Sequence, residues 1–384
     1  MKSKILVASD KYKGSLSAVE VCSIIKDAIK KIDDGIDVIV CPMADGGEGT
    51  VETLVESQKG KYIVSDVTGP LGQKVKARIG IIGGNTAIIE MASASGLALI
   101  PKEKRNPMET TTYGTGELIK KALDIGCRKV IIGIGGSATT DGGMGMAQAL
   151  GVKFYNSCSN LLGFGGRQLL KLKRIDMRNI HPAVSNTEFN VASDVDNPLT
   201  GKNGAAYVYS PQKGADKEMV KKLDNGLVNF SKIIKKDLGK DISNLKGAGA
   251  AGGLGAGLHA FLNATLRPGT DIIIEANDLE SKIKEADLVI TGEGAMDKQT
   301  FFGKSSYGVA MLARKYNIPV ITINGSVFIS RGEINRKNTS LFCGNFSIIK
   351  KPMELEDAVK NSRNLLESAA QEIITFYKCI KRFC

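Results

Sequence analysis

The hydrophobic pattern at the start of the chain is typical of alternating strands and helices. An apolar run at 4–9 predicts a strand, and the segment Ser17-Ala-Val-Glu20 matches a capping box that begins a helix. Apolar residues then recur three and four positions apart, on one face of that helix: Val21, Ile25, Ala28 and Ile32. A second apolar run at 37–41 predicts the next strand. The order strand, helix, strand indicates a parallel β-α-β unit.

The same alternation returns after residue 286. The pattern predicts strands at 287–291 and 319–324, a β-like run at 341–349, and helices at 305–316 and 354–376. Together with the two opening strands, the ends of the chain supply five strands with helices between them. We therefore predict an α/β fold in which residues 1–61 and 286–384 form one discontinuous domain with a doubly wound parallel sheet.

The middle of the chain has a different pattern. Short alternating runs at 74–82 and 86–91 are broken by Gly-Pro and Gly-Gly-Asn, which favours antiparallel strands. Helix and strand patterns follow, including a long amphipathic helix at 215–238. We predict that residues 62–285 form a second, inserted α/β domain with antiparallel β segments.

Composition and charge narrow the class of protein. Of the 384 residues, 42% are hydrophobic and 24% are charged, which is typical of a globular protein and not of a disordered one. The first apolar run is too short for a signal peptide or a membrane span, so we expect a cytoplasmic protein without a membrane partner. The net charge is +12, but the lysines are scattered and few aromatics lie between them. This distribution favours small anionic substrates over nucleic acid.

Cysteine and histidine spacing excludes several chemistries. The seven cysteines lie far apart without a Cys-x-x-Cys pair, which favours reduced, structural thiols. The two histidines, His181 and His259, do not accompany a Gly-x-Ser-x-Gly motif. Neither a Ser-His-Asp hydrolase nor a His-based zinc site is supported.

Three glycine-acid clusters carry the candidate chemistry, at 43–50, 134–143 and 291–297. Each combines carboxylates with glycines, which let a ligand approach the backbone, and with hydroxyl groups that bond oxygen. Carboxylates repel phosphate unless a cation lies between them, so the combination indicates Mg²⁺-bridged phosphate and phosphoryl transfer. An acid at a helix start can instead be a cap, which stays open for the first cluster. The candidate metal ligands are Asp45, Glu48, Asp196, Glu293 and Asp297.

The second cluster also resembles a dinucleotide motif. Residues 133–138 match Gly-x-Gly-x-x-Gly/Ala, but no acid occurs at 152–173, where a nicotinamide site needs one. A nicotinamide-dependent 2-hydroxy acid dehydrogenase stays open as an alternative, as does simple helix-strand packing. The hydroxyls and the carboxylate suit oxyanions and metal better, and the candidate cofactor residues here are Gly135, Gly136, Ser137 and Asp141.

Two further segments are ambiguous on sequence alone. The glycine-rich run at 247–258 could hold a phosphate at a helix start through Gly249, Gly252 and Gly253, or could let helices pack closely. The triplet Gly303-Lys304-Ser305 imitates the end of a P-loop, but position 298 is lysine where the first glycine belongs, so we do not expect a Walker-type ATPase. Lys304 remains a candidate phosphate partner, with Lys13 and Lys213 as candidate phosphate or carboxylate partners.

The segment 193–201 offers two acids. Asp194 and Asp196 lie on one side of an extended stretch, where they could hold Mg²⁺ or supply a base for a hydroxyl group. A plain turn rich in Asp, Asn and Pro is the alternative.

Ten motifs occur in an order that resembles the bacterial glycerate kinase family of the first type. They cover nearly the whole chain: Lys13–Leu16, Pro42–Thr50, Thr68–Gly72, Met91–Leu97, Thr112–Glu117, Ile134–Gly143, Ser193–Gly201, Pro211–Gly214, Gly247–Leu258 and Thr291–Asp297. One departure is Ser9-Asp10-Lys11-Tyr12, where the family more often has Pro-Asp-Ser-Phe. That departure removes a serine hydroxyl from the motif.

The resemblance implies a kinase that phosphorylates D-glycerate with ATP and Mg²⁺. It implies a flavodoxin-like domain interrupted by a second mixed α/β domain, with the active site in the interdomain cleft. It also implies the 2-hydroxyl as acceptor, giving 2-phosphoglycerate, although some relatives are described as 3-kinases. We expect MgATP along the glycine-rich loops. The catalytic candidates are Asp194, Asp45 and Lys13, and the substrate-binding candidates are Ser15, Ser95, Thr139 and Lys213.

The sequence leaves open a binding function without catalysis, the oligomeric state and the role of the last residues. A non-catalytic sensor of sugar phosphates or nucleotides would bind without turnover, and the many acids beside glycines argue against it. A homodimer is compatible with the sequence. The segment 377–384 looks like an extension with no assigned role.

Overall fold

The computed structural model describes residues 3–47, 49–301, 304–329 and 341–383. Its strands are β1 (Lys4–Val7), β2 (Asp37–Val40), β3 (Lys61–Thr68), β4 (Lys74–Ile82), β5 (Thr86–Glu90), β6 (Lys129–Gly133), β7 (Lys153–Tyr155), β8 (Arg174–Asp176), β9 (Glu188–Ala192), β10 (Thr265–Arg267), β11 (Leu288–Thr291), β12 (Ala295–Met296), β13 (Val320–Asn324), β14 (Ser326–Val327) and β15 (Gly344–Ser347).

The helices within the described ranges fall between these strands in an α/β order. They are α1 (Ala18–Ile32), α2 (Thr50–Ser57), α3 (Ala92–Ser95), α4 (Tyr113–Asp124), α5 (Met144–Ala149), α6 (Ala205–Tyr209), α7 (Lys217–Leu238), α8 (Ala250–Leu262), α9 (Gly269–Ala276), α10 (Leu279–Lys284), α11 (Ser305–Lys315), α12 (Leu355–Lys360) and α13 (Ser362–Phe383). None of the described helices is long and apolar enough to cross a bilayer.

The chain divides into two compact units, the first of which spans 1–45, 52–58 and 270–384. Its five-stranded sheet has the order β15-β13-β11-β1-β2, and every neighbouring pair is parallel. The predicted parallel sheet is therefore confirmed. Counted in chain order within this sheet, the strands run 2-1-3-4-5, so the direction of connection reverses between β1 and β11. Side chains at the carboxyl ends of all five strands share one edge of the sheet.

Helices α1 and α13 cover one part of this sheet. The predicted capping box begins α1, since Ser17 Oγ accepts from the Glu20 amide at 3.3 Å and the Glu20 carboxylate accepts from the Ser17 amide at 2.9 Å. The apolar face of α1 is buried together with apolar residues of α13: Val21, Ile25, Ala28, Leu366, Ala370 and Ile374. This packing leaves the carboxyl edge of the sheet available for a site.

The second unit spans 46–51 and 59–269 and contains a six-stranded mixed sheet. Strands β10, β9, β6 and β5 pair in parallel, whereas β4 pairs antiparallel with both of its neighbours, β5 and β3. The predicted second, mixed α/β architecture is confirmed. Helix α7 begins at an Asp216 cap, whose carboxylate accepts from two backbone amides of the first turn.

The division into units differs from the predicted boundaries at three places, of which the shortest is 59–61, at the start of β3, in the second unit. Residues 46–51 belong with the second unit, because a side chain at Gly46 would overlap Ala192 and the Gly269 backbone. Residues 270–285 belong with the first unit. Asn277 connects α9 to that unit by donating to the Pro42 carbonyl at 3.1 Å and accepting from Ser57 Oγ at 2.8 Å.

The last predicted helix is also different in the structure. The pattern predicted one helix at 354–376, but α12 ends at Lys360 and α13 begins at Ser362. Asn361 lies between them, and both its side-chain amide, at 2.8 Å, and its backbone amide, at 3.0 Å, donate to the Asp357 carbonyl at the end of α12. The break sets α12 apart as a short element of its own.

Candidate active site

A cavity of about 630 Å³ lies in the first unit, at the carboxyl edge of the parallel sheet. Residues that follow all five strands line it, because the ends of parallel strands meet at one edge. Six of the predicted site residues come together here: Lys13, Ser15, Asp45, Glu293, Asp297 and Lys304. These residues are up to 291 positions apart in the sequence, from Lys13 to Lys304. They lie in one cavity because the sheet topology brings their segments together.

Asp10 is a charged lining residue that the sequence analysis did not select. Its carboxylate accepts from Ser305 Oγ at 2.8 Å and from the Lys11 amide at 2.7 Å. Burial and the nearby charge of Asp45 raise the pKa of Asp10 to about 7. Its position in the sequence could have identified it, because Asp10 follows β1 just as Asp45 follows β2.

The third glycine-acid cluster forms an ion-pair network in the same cavity. Lys304 Nζ lies 2.8 Å from Glu293 Oε2 and 3.4 Å from Asp297 Oδ1. The Glu293 residue is only 8% exposed, and its Oε1 has no hydrogen-bond partner in the described structure. Burial raises the pKa of Glu293, and the bond to Lys304 opposes that rise. A buried carboxylate oxygen without a donor is costly, which suits a site where a ligand completes the network.

The cavity acids fit Mg²⁺ in the form in which it accompanies phosphate. Within the described residues, no group of three His, Cys, Asp or Glu side chains could hold a metal ion alone. Mg²⁺ commonly takes one or two protein carboxylates and completes its shell with water and phosphate oxygens. Asp10 and Asp45 repel each other, so a cation bound beside either carboxylate would reduce that repulsion, and the Glu293 oxygen without a donor is a further candidate contact.

Two other predicted metal ligands are not in this cavity. Asp196 belongs to the second unit, where its exposed carboxylate pairs with Lys246 Nζ at 2.9 Å. Glu48 lies outside the described residues. The metal candidates that the structure brings together are therefore Asp45, Glu293 and Asp297, joined by Asp10.

The remaining substrate candidates lie in the second unit around Lys213. This side chain is 1% exposed, and its Nζ donates to Ser137 Oγ at 2.7 Å and to the Thr139 carbonyl at 2.6 Å. Burial lowers the pKa of Lys213 to about 7, and the charge of Asp141 opposes that shift. Ser95 is buried nearby in the same unit and accepts from Thr115 Oγ1 at 2.9 Å. These polar groups hold the loop after β6 in place.

Asp141 is part of the same loop and is wholly buried. Its carboxylate accepts from Thr112 at the amide (2.8 Å) and at Oγ1 (2.9 Å), and from the amides of Gly143 (3.2 Å) and Gly145 (3.3 Å). Burial raises the pKa of Asp141, while these bonds lower it. These four hydrogen bonds give the Asp141 carboxylate a structural role within the second unit, and its role in cofactor binding stays a prediction.

The glycines of the two glycine-rich loops of the second unit pack closely. A Cβ at Gly252 would overlap the Thr139 carbonyl, and the Gly252 carbonyl accepts from the Gly142 amide at 3.1 Å. The close approach of the two loops accounts for glycine at this position, in line with the packing alternative. Nucleotide binding by Gly135, Gly136, Gly249, Gly252 and Gly253 stays a prediction.

Asp194, the predicted base, connects two segments of the second unit. Its Oδ1 accepts from the Gly269 amide at 2.9 Å, at the start of α9, and its side chain is exposed. This position is compatible with an anchoring role and with a catalytic role, and the two roles predict different effects of replacing Asp194.

Comparisons with known proteins bear on the chemistry. The model of the "Glycerate kinase family" matches residues 5–378. A protein named glycerate kinase from Halalkalibacterium halodurans is 46% identical over 370 residues, covering 96% of this chain and 97% of the relative. A protein named glycerate 2-kinase from Escherichia coli is 46% identical over 371 residues, with the same coverage.

A solved structure agrees over the whole chain. The crystal structure of a protein designated glycerate kinase 2 from Salmonella typhimurium LT2 superposes with a TM-score of 0.91 at 45% identity, covering 100% of both chains. Such similarity decides against the nicotinamide-dependent dehydrogenase that the 133–138 motif had left open. The chain belongs to the glycerate kinase family and is a phosphotransferase.

Proposed function

We propose that this protein transfers the γ-phosphoryl group of ATP to the 2-hydroxyl of D-glycerate, with Mg²⁺, to give 2-phosphoglycerate. The family supports glycerate as acceptor, and the name of the Escherichia coli relative supports the 2-position. A glycerate 3-kinase is the alternative, because other relatives are named only glycerate kinase.

The observation that carries this proposal is the position of the cavity in the sheet. The strand order 2-1-3-4-5 is the flavodoxin-like order, and we propose that fold for the first unit. In open α/β sheets, ligands bind outside the carboxyl ends of the strands, at the point where the strand order reverses. That point lies between β1 and β11, so Asp10 and Glu293 flank it.

The charges around this point suit the phosphates of ATP. Lys13 and Lys304 supply positive charge, and one or two of the carboxylates of Asp10, Asp45 and Glu293 would hold Mg²⁺. Mg²⁺ held by these carboxylates would supply positive charge beside the phosphates and would neutralise charge that develops during transfer. We therefore propose the first-unit cavity as the nucleotide site, in preference to the glycine-rich loops of the second unit.

A coupled assay of ADP release tests the proposed reaction. We expect release with D-glycerate and Mg²⁺, little with L-glycerate, and little without an acceptor. Phosphorus NMR of the product should identify 2-phosphoglycerate. ADP release that is equal with and without glycerate would exclude the proposed acceptor, and a 3-phosphoglycerate product would overturn the 2-hydroxyl assignment alone.

Asp194→Asn separates the anchoring and catalytic roles of Asp194. The asparagine oxygen can still accept from the Gly269 amide, but the side chain cannot take a proton from a hydroxyl group. If Asp194 is the base, as proposed from the sequence, kcat should fall by roughly 10²–10⁴-fold with unchanged thermal stability. An unchanged kcat in Asp194→Asn, with instability only in Asp194→Ala, would assign the anchoring role instead.

A further inference from the structure

The cavity in the first unit changes in polarity from one end to the other. Its charged lining residues belong to the segments after β1, β2 and β11, together with Lys304. The described lining residues after Gly325 carry no charge, and most are apolar: Phe328, Ile348, Ile349, Met353, Leu355 and Val359. One cavity therefore has a charged half and an apolar half.

Helix α12 provides much of the apolar half. Leu355, Ala358 and Val359 have the i, i+3, i+4 spacing of a single helix face, and all three line the cavity. None of the side chains of α12 is buried, and Leu355 is 77% exposed. A helix that presents its apolar face to a cavity without burying it is typical of a site that a ligand covers.

Phe328 lies on another wall and is held by the backbone. It follows β14, which pairs with β12, and its amide donates to the Met296 carbonyl at 2.9 Å. Its ring is nevertheless exposed, since the residue is 74% accessible. A fixed backbone with an exposed aromatic ring is suited to stacking against a planar group.

The spacing of the two halves indicates what kind of ligand spans them. Residues 348–349 follow β15, and Asp10 follows β1. Strands β15 and β1 are three positions apart in the sheet. At roughly 4.8 Å between neighbouring strands, the two positions are about 14 Å apart along the sheet edge. Glycerate is too small and too polar to cover the apolar half. A nucleoside triphosphate has a planar apolar base at one end and phosphates at the other.

We propose that the apolar half is the nucleobase subsite, in which the purine of ATP stacks on Phe328 and lies against Leu355 and Val359 of α12. This assignment rests on the proposed use of ATP. It orients the nucleotide along the sheet edge, with the base towards β15 and the phosphates towards Asp10 and Lys304.

A single-tryptophan reporter tests the subsite directly. The chain contains no tryptophan, so Phe328→Trp introduces one emitter, and Phe376→Trp on α13, at a residue 63% exposed, is the matched control. We expect ATP and adenosine to change the emission of Phe328→Trp, inorganic tripolyphosphate to leave it nearly unchanged, and the control to respond to none of them. A response to tripolyphosphate without one to adenosine would overturn the proposal.

Steady-state kinetics of Phe328→Ala give a second measurement. Losing the stacking partner should raise KM for ATP roughly tenfold, while KM for glycerate and kcat change about twofold or less. An unchanged KM for ATP in an active variant would refute the subsite alone. If the unaltered protein releases no ADP with glycerate, the proposed function fails, and the adenosine titration still decides whether a base binds here.

Discussion

Replacing Lys304 by alanine should lower kcat/KM for ATP by roughly 10²–10³-fold, because it removes a preorganised cation beside the proposed phosphate site. Lys304 Nζ is held by Glu293 at 2.8 Å and by Asp297 at 3.4 Å, so its position is fixed before the nucleotide arrives. Its loss would also leave two neighbouring carboxylates without their cation, which adds repulsion to ATP. Steady-state kinetics with varied ATP would measure the change.

The same helix supplies a matched control. Lys315 lies at the other end of α11 and pairs with Glu280 at 2.8 Å, which is the same kind of ion pair outside the cavity. Lys315→Ala should retain activity within about twofold, since an exposed pair contributes little. Circular dichroism should report a folded protein for both variants. Equal losses of activity in the two variants would mean that Lys304 has no special role in phosphate binding.

Replacing Asp10 by asparagine should abolish most of the activity and make the protein more stable at neutral pH. Loss of one of the few carboxylates available to Mg²⁺ should lower kcat by about a hundredfold or more. The asparagine oxygen can still accept from the Lys11 amide, so the fold keeps that bond. The stability gain follows because a buried charge beside Asp45 is removed.

The pH dependence of this gain has a definite sign. Since the pKa of Asp10 is raised to about 7 in the folded protein, the folded state binds the proton more tightly than the unfolded state does. At low pH the Asp10 carboxyl group therefore does not lower the free energy of unfolding. As the pH rises towards 7 it lowers this free energy increasingly, and the full loss is reached above pH 7. Without added Mg²⁺, the apparent melting temperature of Asp10→Asn should exceed that of the unaltered protein at pH 8, and the difference should shrink at pH 5.5.

The control for this prediction is a replacement of Asp37, at the opposite end of the strands of the same sheet. Asp37 is exposed at the amino end of β2, away from the cavity, and Asp37→Asn should change neither activity nor the pH dependence of stability. If Asp10→Asn behaves like Asp37→Asn in both assays, the proposed role of the Asp10 carboxylate is wrong.

The fold of the first unit was predictable because buried parallel strands are continuous apolar runs. Ile5, Leu6 and Val7 are wholly buried in β1, and the helix after them carries its own capping box. The break between α12 and α13 was missed, because the apolar pattern continues through Asn361, the single residue that separates the two helices. The apolar pattern does not report side-chain bonds to the backbone such as the one from Asn361 to the Asp357 carbonyl.

The candidate site was predictable only in part, for a related reason. The glycine-acid clusters follow strands, and Asp45, Glu293, Asp297 and Lys304 were found from that position. The same residue types in the second unit form a network of their own, in which Lys213 bonds Ser137 across 76 positions of sequence. A motif cannot reveal whether its polar groups are already satisfied by distant partners.

Residue order along the chain was enough to locate the strands, the parallel sheet and the acids that follow it, because periodicity and strand ends are local properties. Folding alone decided that Asp10 meets Ser305, 295 residues later, and that Phe328 and the apolar face of α12 line the same cavity as Lys304. The physical reason is that burial, charge coupling and the shape of a cavity arise between segments that only the sheet topology brings together.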